Sequence, residues 1–468
     1  MTRPHDNAPD GLPTPRRYWA IVAIVLAIAM SVLDSTIANV ALPSIARDFR
    51  ASNATSIWVI NAYQIAILVS LLPLAALGEI VGYRRISQAG LAVFTLASLV
   101  CAFTPSLLTL SLARVVQGFG AAGIMSVNAA LVRFTYPQRM LGRALGINAL
   151  VVAISAAIGP TVASAILAVA DWRWLFAINV PIGLIALLIA SYSLPHTHRS
   201  TGRLNYVAVL LNAGTFVLLI GGLQALAHDH GIPAGAIQIA AGCLLAFLLV
   251  RYELHEDAPL VPLDLLRIRL FSLSVAASVC AFMAQMAALV ALPFEIQRLG
   301  HSPSETGLLM TPWPLGVALA APIAGRLADK FPAGVLGGVG LTINATGLVL
   351  LAFLPSGGSV TDLVWRMALC GIGFGLFQAP NNRTMISAAP RARSGAAGGM
   401  LATSRLLGQS LGAAGVAILF RAYSDKGPGT ALEVAAGISL AAAAVSALRL
   451  FQVTRAPSPG GPQRSIEP

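Results

Sequence analysis

Apolar residues along this chain come in long runs, not in alternation and not in one-sided helical stripes. The runs cover about residues 18–42, 55–78, 86–104, 108–132, 143–168, 173–194, 204–226, 235–251, 270–294, 306–325, 334–354, 362–387, 398–420 and 431–452. Each approaches the roughly 20 residues that a helix needs to cross a bilayer, and short polar or basic stretches separate them. The pattern predicts an all-α polytopic membrane protein with fourteen transmembrane helices. Arg16 and Arg17 precede the first run as they would a secretory signal, but the run continues through Asp34 to Pro43 without a cleavage site and predicts a retained span. Residues 1–17 and 453–468, rich in Pro, Gly and charge, predict tails outside the membrane.

Composition removes the soluble classes. Of 468 residues, 57% are apolar and 10% charged, whereas soluble domains carry about 25% charge. A net charge of +12 would suggest nucleic acid in a soluble chain. Here the arginines gather in alternate connections, at Arg16 and Arg17, Arg84 and Arg85, Arg133 to Arg143, Arg267 and Arg269, Arg326 and Lys330, Arg391 and Arg393. The positive-inside rule makes those connections cytoplasmic, with both termini inside and an even number of spans. The expected location is a bacterial plasma (inner) membrane, with the lipid bilayer as solvent and no nucleic-acid partner. Cys101, Cys243, Cys280 and Cys370 all fall in apolar runs and read as small packing residues.

One motif recurs at long range. ALGEIVGYRR (Ala76 to Arg85) ends the second run with an acid, and GRLADK (Gly325 to Lys330) ends the tenth in the same way, so Glu79 and Asp329 stand 250 residues apart. Arg114 before Gly118, Gly120 and Gly123 matches Arg366 before Gly371, Gly373 and Gly375 at an offset of 252. Such an offset is about eight spans, so two extra spans separate two six-span halves. The expected division is a six-helix half over 18–194, two inserted central helices over 204–251, and a six-helix half over 270–452. Paired halves around a central site are a common plan for secondary transporters.

Several motifs then give a family resemblance over nearly the whole chain. LDSTIANVALP (Leu33 to Pro43), WVINAYQIA (Trp58 to Ala66), LARVVQGFGAAG (Leu112 to Gly123), IGPTVAS (Ile158 to Ser164) and DWRWLFAINVPIG (Asp171 to Gly183) stand in the order found in the 14-span drug:proton antiporters of the major facilitator superfamily. TPWPLG (Thr311 to Gly316), GFGLFQAPNN (Gly373 to Asn382) and SRLLGQSLGAAG (Ser404 to Gly415) most resemble exporters of methyl viologen and quaternary ammonium biocides. Two departures stand out. Glu79 replaces the usual Asp after span two, and Ala163 and Ser164 replace two glycines of the span-five antiporter motif. The resemblance implies a proton-coupled efflux antiporter that exports organic cations by alternating access, acting as a monomer on small molecules and protons. An exporter of an endogenous metabolite or amphiphilic antibiotic on the same scaffold is the alternative, since a fold does not fix its substrate.

The candidate chemistry rests on charges inside apolar runs. A carboxylate at the bilayer centre costs about 2.5–3.5 kcal/mol on insertion scales, so Asp34 is expected either to exchange protons with a cationic cargo or to hydrogen-bond a neighbouring helix. Glu295, near the end of the ninth run, and Glu433, at the start of the last, are further acids for cation recognition or plain helix-end groups. Arg114 and Gln117 are expected to face protein and to respond to the protonation of a nearby acid, and Arg405 invites the same reading. Both arginines are expected to point away from a cationic cargo. Glu79, Gly82, Arg84 and Arg85, with Gly325, Arg326 and Asp329, are expected to form conformational latches at cytoplasmic helix ends. Gly159 and Pro160 are expected to allow close packing in span five. Trp58, Tyr63, Trp313, Phe374 and Phe377 either line a cavity for flat or quaternary cations, through cation-π contacts of roughly 0.5–2 kcal/mol each, or simply pack.

Other classes find no support. A Walker A loop needs Gly-Lys-Ser/Thr, and the lysines are Lys330 and Lys426, in other contexts. GQSLG (Gly408 to Gly412) matches a nucleophile elbow only formally, because no His follows it. The seven histidines form no zinc motif, so neither an enzyme, a metal nor a cofactor is expected. A channel would share the composition, but paired halves with repeated latch acids suit alternating access better.

Overall fold

The computed structural model describes residues 11–51, 58–197, 204–226, 232–254, 260–300, 306, 309–354, 359–423 and 427–450. Of the two expected tails, residues 1–10 and 451–468 lie outside that set, and Thr14 to Arg17 open the first helix. The described chain is helical throughout, because a backbone crossing lipid must satisfy its own N–H and C=O groups.

The first half consists of α1 (Thr14–Asp48), α2 (Trp58–Val81), α3 (Tyr83–Ala102), α4 (Leu107–Thr135), α5 (Leu141–Leu167) and α6, which runs Arg173–Ser193 with a break at Ile178. An inserted pair follows, α7 (Tyr206–Leu226) and α8 (Ile232–Glu253). The second half holds α9 (Arg269–Arg298), α10 (Pro312–Leu327), α11 (Ala333–Ala352), α12 (Val360–Ala388), α13 (Ser394–Tyr423) and α14 (Gly427–Leu448). Local chemistry sets several boundaries. Ser106 and Thr109 form a capping box at the start of α4, and the Ser359 hydroxyl caps α12 by accepting from the Asp362 N–H.

Among the described residues, twelve helices have the length and apolarity to cross a membrane, against the fourteen that the sequence pattern predicts. The difference lies in α10 and α13. The 16 residues of α10 give about 24 Å of helix at 1.5 Å per residue, short of a hydrocarbon core of about 30 Å. The 30 residues of α13 are long enough but are interrupted by Thr403, Ser404, Arg405, Gln409 and Ser410.

Glycines let the helices of each half approach closely. In the first half a Cβ on Gly120 would meet the Gly90 carbonyl at 2.8 Å, joining α4 to α3. In the second, a Cβ on Gly373 would meet the Asn344 Cα at 3.0 Å, joining α12 to α11 in the matching place. The two halves are therefore alike in packing as well as in motif. Between α7 and α8 the approach is also tight, a Cβ on Gly235 meeting the Gly222 carbonyl at 2.9 Å. The pair attaches to the first half through Asn212, whose Nδ2 donates to the Val69 carbonyl at 2.9 Å.

The start of α1 and the ends of α4, α6 and α12 meet the start of α13 at one face, which we call the basic end. There Arg16 donates to the Ser193 and Leu194 carbonyls, and Arg133 to those of Ile386 and Ala389. The halves touch mainly in this region. Gly142 and Gly146 of α5 lie against Gly325 and Ala321 of α10, and Gly395 and Gly399 of α13 lie against Ala75 and Leu71 of α2. Apolar contact between the halves extends along α5 to Ala153 and along α13 to Ala402 and Leu406.

Candidate functional site

Asp34 of α1, Arg114 and Gln117 of α4 and Asn179 of α6 converge inside the first half. Asp34 is 2% exposed, Arg114 and Gln117 are 0%. Arg114 Nη1 forms an ion pair with Asp34 Oδ2 and donates to Gln117 Oε1 at 2.6 Å, while its Nε donates to the Val59 carbonyl at 3.1 Å. Gln117 Nε2 and Asn179 Nδ2 each donate to Asp34 Oδ1 at 2.9 Å. Gln117 also donates to Ser98 Oγ at 2.8 Å. The Tyr63 ring lies under the guanidinium, 4.0 Å from its Cζ, and the Tyr63 hydroxyl donates to the Ser31 carbonyl at 3.1 Å.

Burial makes this arrangement sensitive to a single proton. Two opposite charges out of water need each other, and removing one leaves the other uncompensated at several kcal/mol. A proton on Asp34 would free Arg114 from its counter-charge and weaken three acceptor contacts at once. The sequence reading identifies Asp34, Arg114 and Gln117 but passes over Asn179, although a polar residue within an apolar stretch of the INVP segment was a usable signal. In the described state both Asp34 oxygens accept from protein donors.

The two other candidate acids differ. Glu295, 3% exposed, accepts from Arg298 Nε at 3.0 Å and also from Nη2. Glu433 is exposed on α14.

At the basic end the latch residues find partners other than their sequence neighbours. Glu79 Oε2 accepts from Arg393 Nη1 at 2.8 Å, and Oε1 accepts from the Ala396 N–H at 2.8 Å. Arg393 also donates to both oxygens of Asp264, at 2.9 and 3.0 Å, in the short turn Leu263–Leu266 before α9. Burial pushes the Arg393 pKa down, but Asp264 and Glu79 outweigh it and hold the guanidinium above its ordinary value. Arg84 instead donates to the Leu194 and Ser191 carbonyls. Asp329 pairs with Arg383 of α12 at 2.8 Å, within its own half. Gly82 has a φ of +108°, which L side chains rarely adopt, and so permits the turn from α2 into α3. Gly325 provides close approach, since a Cβ there would meet the Gly142 carbonyl at 2.8 Å. Among the described residues, no hydrogen bond or ion pair from Arg85 or Arg326 joins the halves. The sequence reading counts Arg133 and Arg393 only among the basic residues of the connections and assigns no role to Asp264 or Arg383.

Gly159 packs against α1, where a Cβ would meet the Thr36 Cβ at 2.8 Å, whereas the Pro160 and Ser164 side chains lie outside the described residues. The aromatic residues divide. Tyr63, Trp313, Phe374 and Phe377 are at most 1% exposed and belong to the packed core, with Phe374 edge-on to Phe282 and Phe377. Trp58 is 54% exposed at the start of α2. The first four pack in the interior and Trp58 does not.

Two alike helical halves that meet at one end, the first of them enclosing a buried ion pair, are the plan of a polytopic membrane transporter. The chain belongs to the Major Facilitator Superfamily, whose family pattern it matches over residues 24–413 and again over 274–465. It is 53% identical over 446 residues to the uncharacterized transporter YebQ of Escherichia coli K12, covering 95% of this chain and 98% of that one. It is 30% identical to the riboflavin transporter RibZ of Clostridioides difficile, covering 85% and 87%. It is also 30% identical to the multidrug resistance protein Stp of Mycobacterium tuberculosis, covering 84% and 74%. The fold matches the crystal structure of the human organic anion transporter MFSD10 with a TM-score of 0.68 at 13% identity, over 93% of this chain and all of that one.

Proposed function

We propose that the protein is a proton-coupled exporter of amphiphilic small molecules, working by alternating access in the bacterial plasma membrane. The observation that carries this reading is the buried Asp34–Arg114 pair with its Gln117 and Asn179 donors. Its logic is a two-state one. A proton reaching Asp34 cancels the attraction that holds α1 to α4, and the released Arg114 then favours a different packing of the first half. In the described state the basic end is tied by Glu79, Arg393 and Arg133, and those ties must break for the other side to open.

In this reading α10 and α13 cross alongside the twelve more apolar helices, giving fourteen spans. The arginines then put the basic end and both termini in the cytoplasm. Burial of Ala396, Ala397 and Ala402 within the bundle supports a crossing for α13 despite its polar residues. Each copy contains both halves of the interface, so a monomer suffices.

A multidrug resistance protein and a riboflavin transporter among the relatives support an organic small-molecule cargo. The narrower expectation of quaternary ammonium, viologen and dye cations requires an acid within reach of the cargo, and Asp34 and Glu295 already hold arginines. We therefore keep the cargo as amphiphilic and place no positive charge on it.

Purified protein in liposomes with a trapped pH dye tests the coupling. An inward proton gradient should drive cargo uphill with matched proton entry, and Asp34→Asn should lose both. Uphill cargo movement without proton flux, or downhill flux faster than roughly 10⁵ per second as in a channel, would end the proposal.

A further inference from the structure

Arg405 stands on α13 between two residues, Ala402 and Leu406, that pack into the cluster around Tyr63 and Leu71 of the first half. It thus lies at the limit of contact between the halves, beyond the tied basic end. Its Nε is sealed from solvent with no hydrogen-bond partner, and the residue as a whole is half-buried. No acid pairs with it among the described residues.

The charge balance around it is one-sided. Asp34, Arg114 and Arg405 are the charges that bear on Tyr63, one negative and two positive. Asp34 is already matched by Arg114. Other acids of the bundle have partners of their own: Glu79 and Asp264 hold Arg393, Glu295 holds Arg298, and Asp329 holds Arg383. A guanidinium left unpaired at membrane depth is costly and marks a functional site by default. Its five donors in a planar fork suit a carboxylate, sulfonate or phenolate far better than any neutral group.

We propose that the cargo is an amphiphilic organic anion whose charged end is held by Arg405, beyond the tied basic end. This rests on the exporter reading and gives the cargo its charge. It also changes the energetics. Exchange of a proton for a monovalent cation moves no net charge, whereas export of an anion against proton entry moves two positive charges inward. The membrane potential then drives both legs of the cycle.

The experiment uses the full chain, wild type and the R405Q and R405K variants, with dansylundecanoate as the anionic probe and ethidium as the cationic one. Direct binding in detergent is read by dansyl fluorescence. R405Q should weaken the anion at least tenfold, and R405K should recover part of that loss while melting at the wild-type temperature. In liposomes, an inside-negative potential without a pH gradient should drive dansylundecanoate out through the wild type. Equal binding by wild type and R405Q, or no binding of the anion at all, overturns the inference. Proton-for-ethidium exchange with no response to the anion overturns it too, and leaves the exporter standing. Binding through Arg405 without any proton-linked transport upholds the anion site and removes the exporter reading.

Discussion

Asp34 and Arg114 are 80 residues apart in sequence and share a fully enclosed ion pair, with side-chain exposures of 1% and 0%. The pair joins the middle of α1 to the first third of α4. Truncating one member of such a pair costs about 3–5 kcal/mol, because the other remains buried and charged. Arg114→Lys should therefore fail as a conservative change. An ammonium cannot donate to Asp34, Gln117 and the Val59 carbonyl from one planar fork. We expect a lower melting temperature and transport reduced at least tenfold, measured by thermal unfolding in detergent and by liposome flux. Wild-type values for both would show that charge alone suffices.

The legible part of this site has a simple physical basis. An ionised residue in an apolar run cannot face lipid, so Asp34 and Arg114 announce themselves, and the Glu79–Asp329 repeat survives because both halves need an acid at the same turn. What sequence leaves out is pairing. Glu79 meets Arg393 across 314 residues, and nothing in a basic loop distinguishes that arginine from its neighbours. The aromatic residues leave two readings open for a related reason. Hydrophobicity places Phe374 and Phe377 inside but cannot tell a packed interior from a cargo surface. Arg405 shows the opposite gap, since its sequence position suggests a second Arg114 while the structure leaves it without an acid.

Glu79 and Arg393 tie the first half to the start of α13, and charge-assisted bonds of this kind contribute about 1.5–3 kcal/mol. Glu79→Gln should shift the balance toward a form open at the basic end by roughly tenfold or more. A single cysteine placed at position 394, where the native Ser394 is fully buried at the start of α13 and the exchange of oxygen for sulfur adds little volume, reports the change. Its modification by a membrane-impermeant thiol reagent should quicken in the Glu79→Gln background, which must also lack the native cysteines. An unchanged rate would mean that the apolar contacts alone keep this end shut.

Steric blocking tests the same closure from the other side. A Cβ on Gly142 would meet Asp329 Oδ1 and the Gly325 carbonyl at 2.8 Å, and one on Gly146 the Ala321 carbonyl at 3.0 Å. Gly146→Val should hold the halves apart at the basic end and trap the chain open there, binding cargo from that side but transporting at most a tenth of the wild-type amount. Counterflow, which needs both conformations, should fall equally. Normal counterflow would show that closure tolerates the added volume.

Two glycines separate packing from helix propensity. A Cβ on Gly371 would come within 2.9 Å of the Trp313 carbonyl carbon and 3.1 Å of the Val317 nitrogen, backbone atoms of α10 that cannot rotate away. Gly371→Ala should push α12 off α10 and cost about 1–3 kcal/mol, the usual range for overpacking a tight interior. Gly437 on α14 has nothing within 4 Å of the same position, so Gly437→Ala adds no clash and gains roughly the 1 kcal/mol by which alanine exceeds glycine inside a helix. Melting curves of the two variants should therefore move in opposite directions. A parallel fall in both would mean that α14 packs against something at Gly437, and that its outer face is not free.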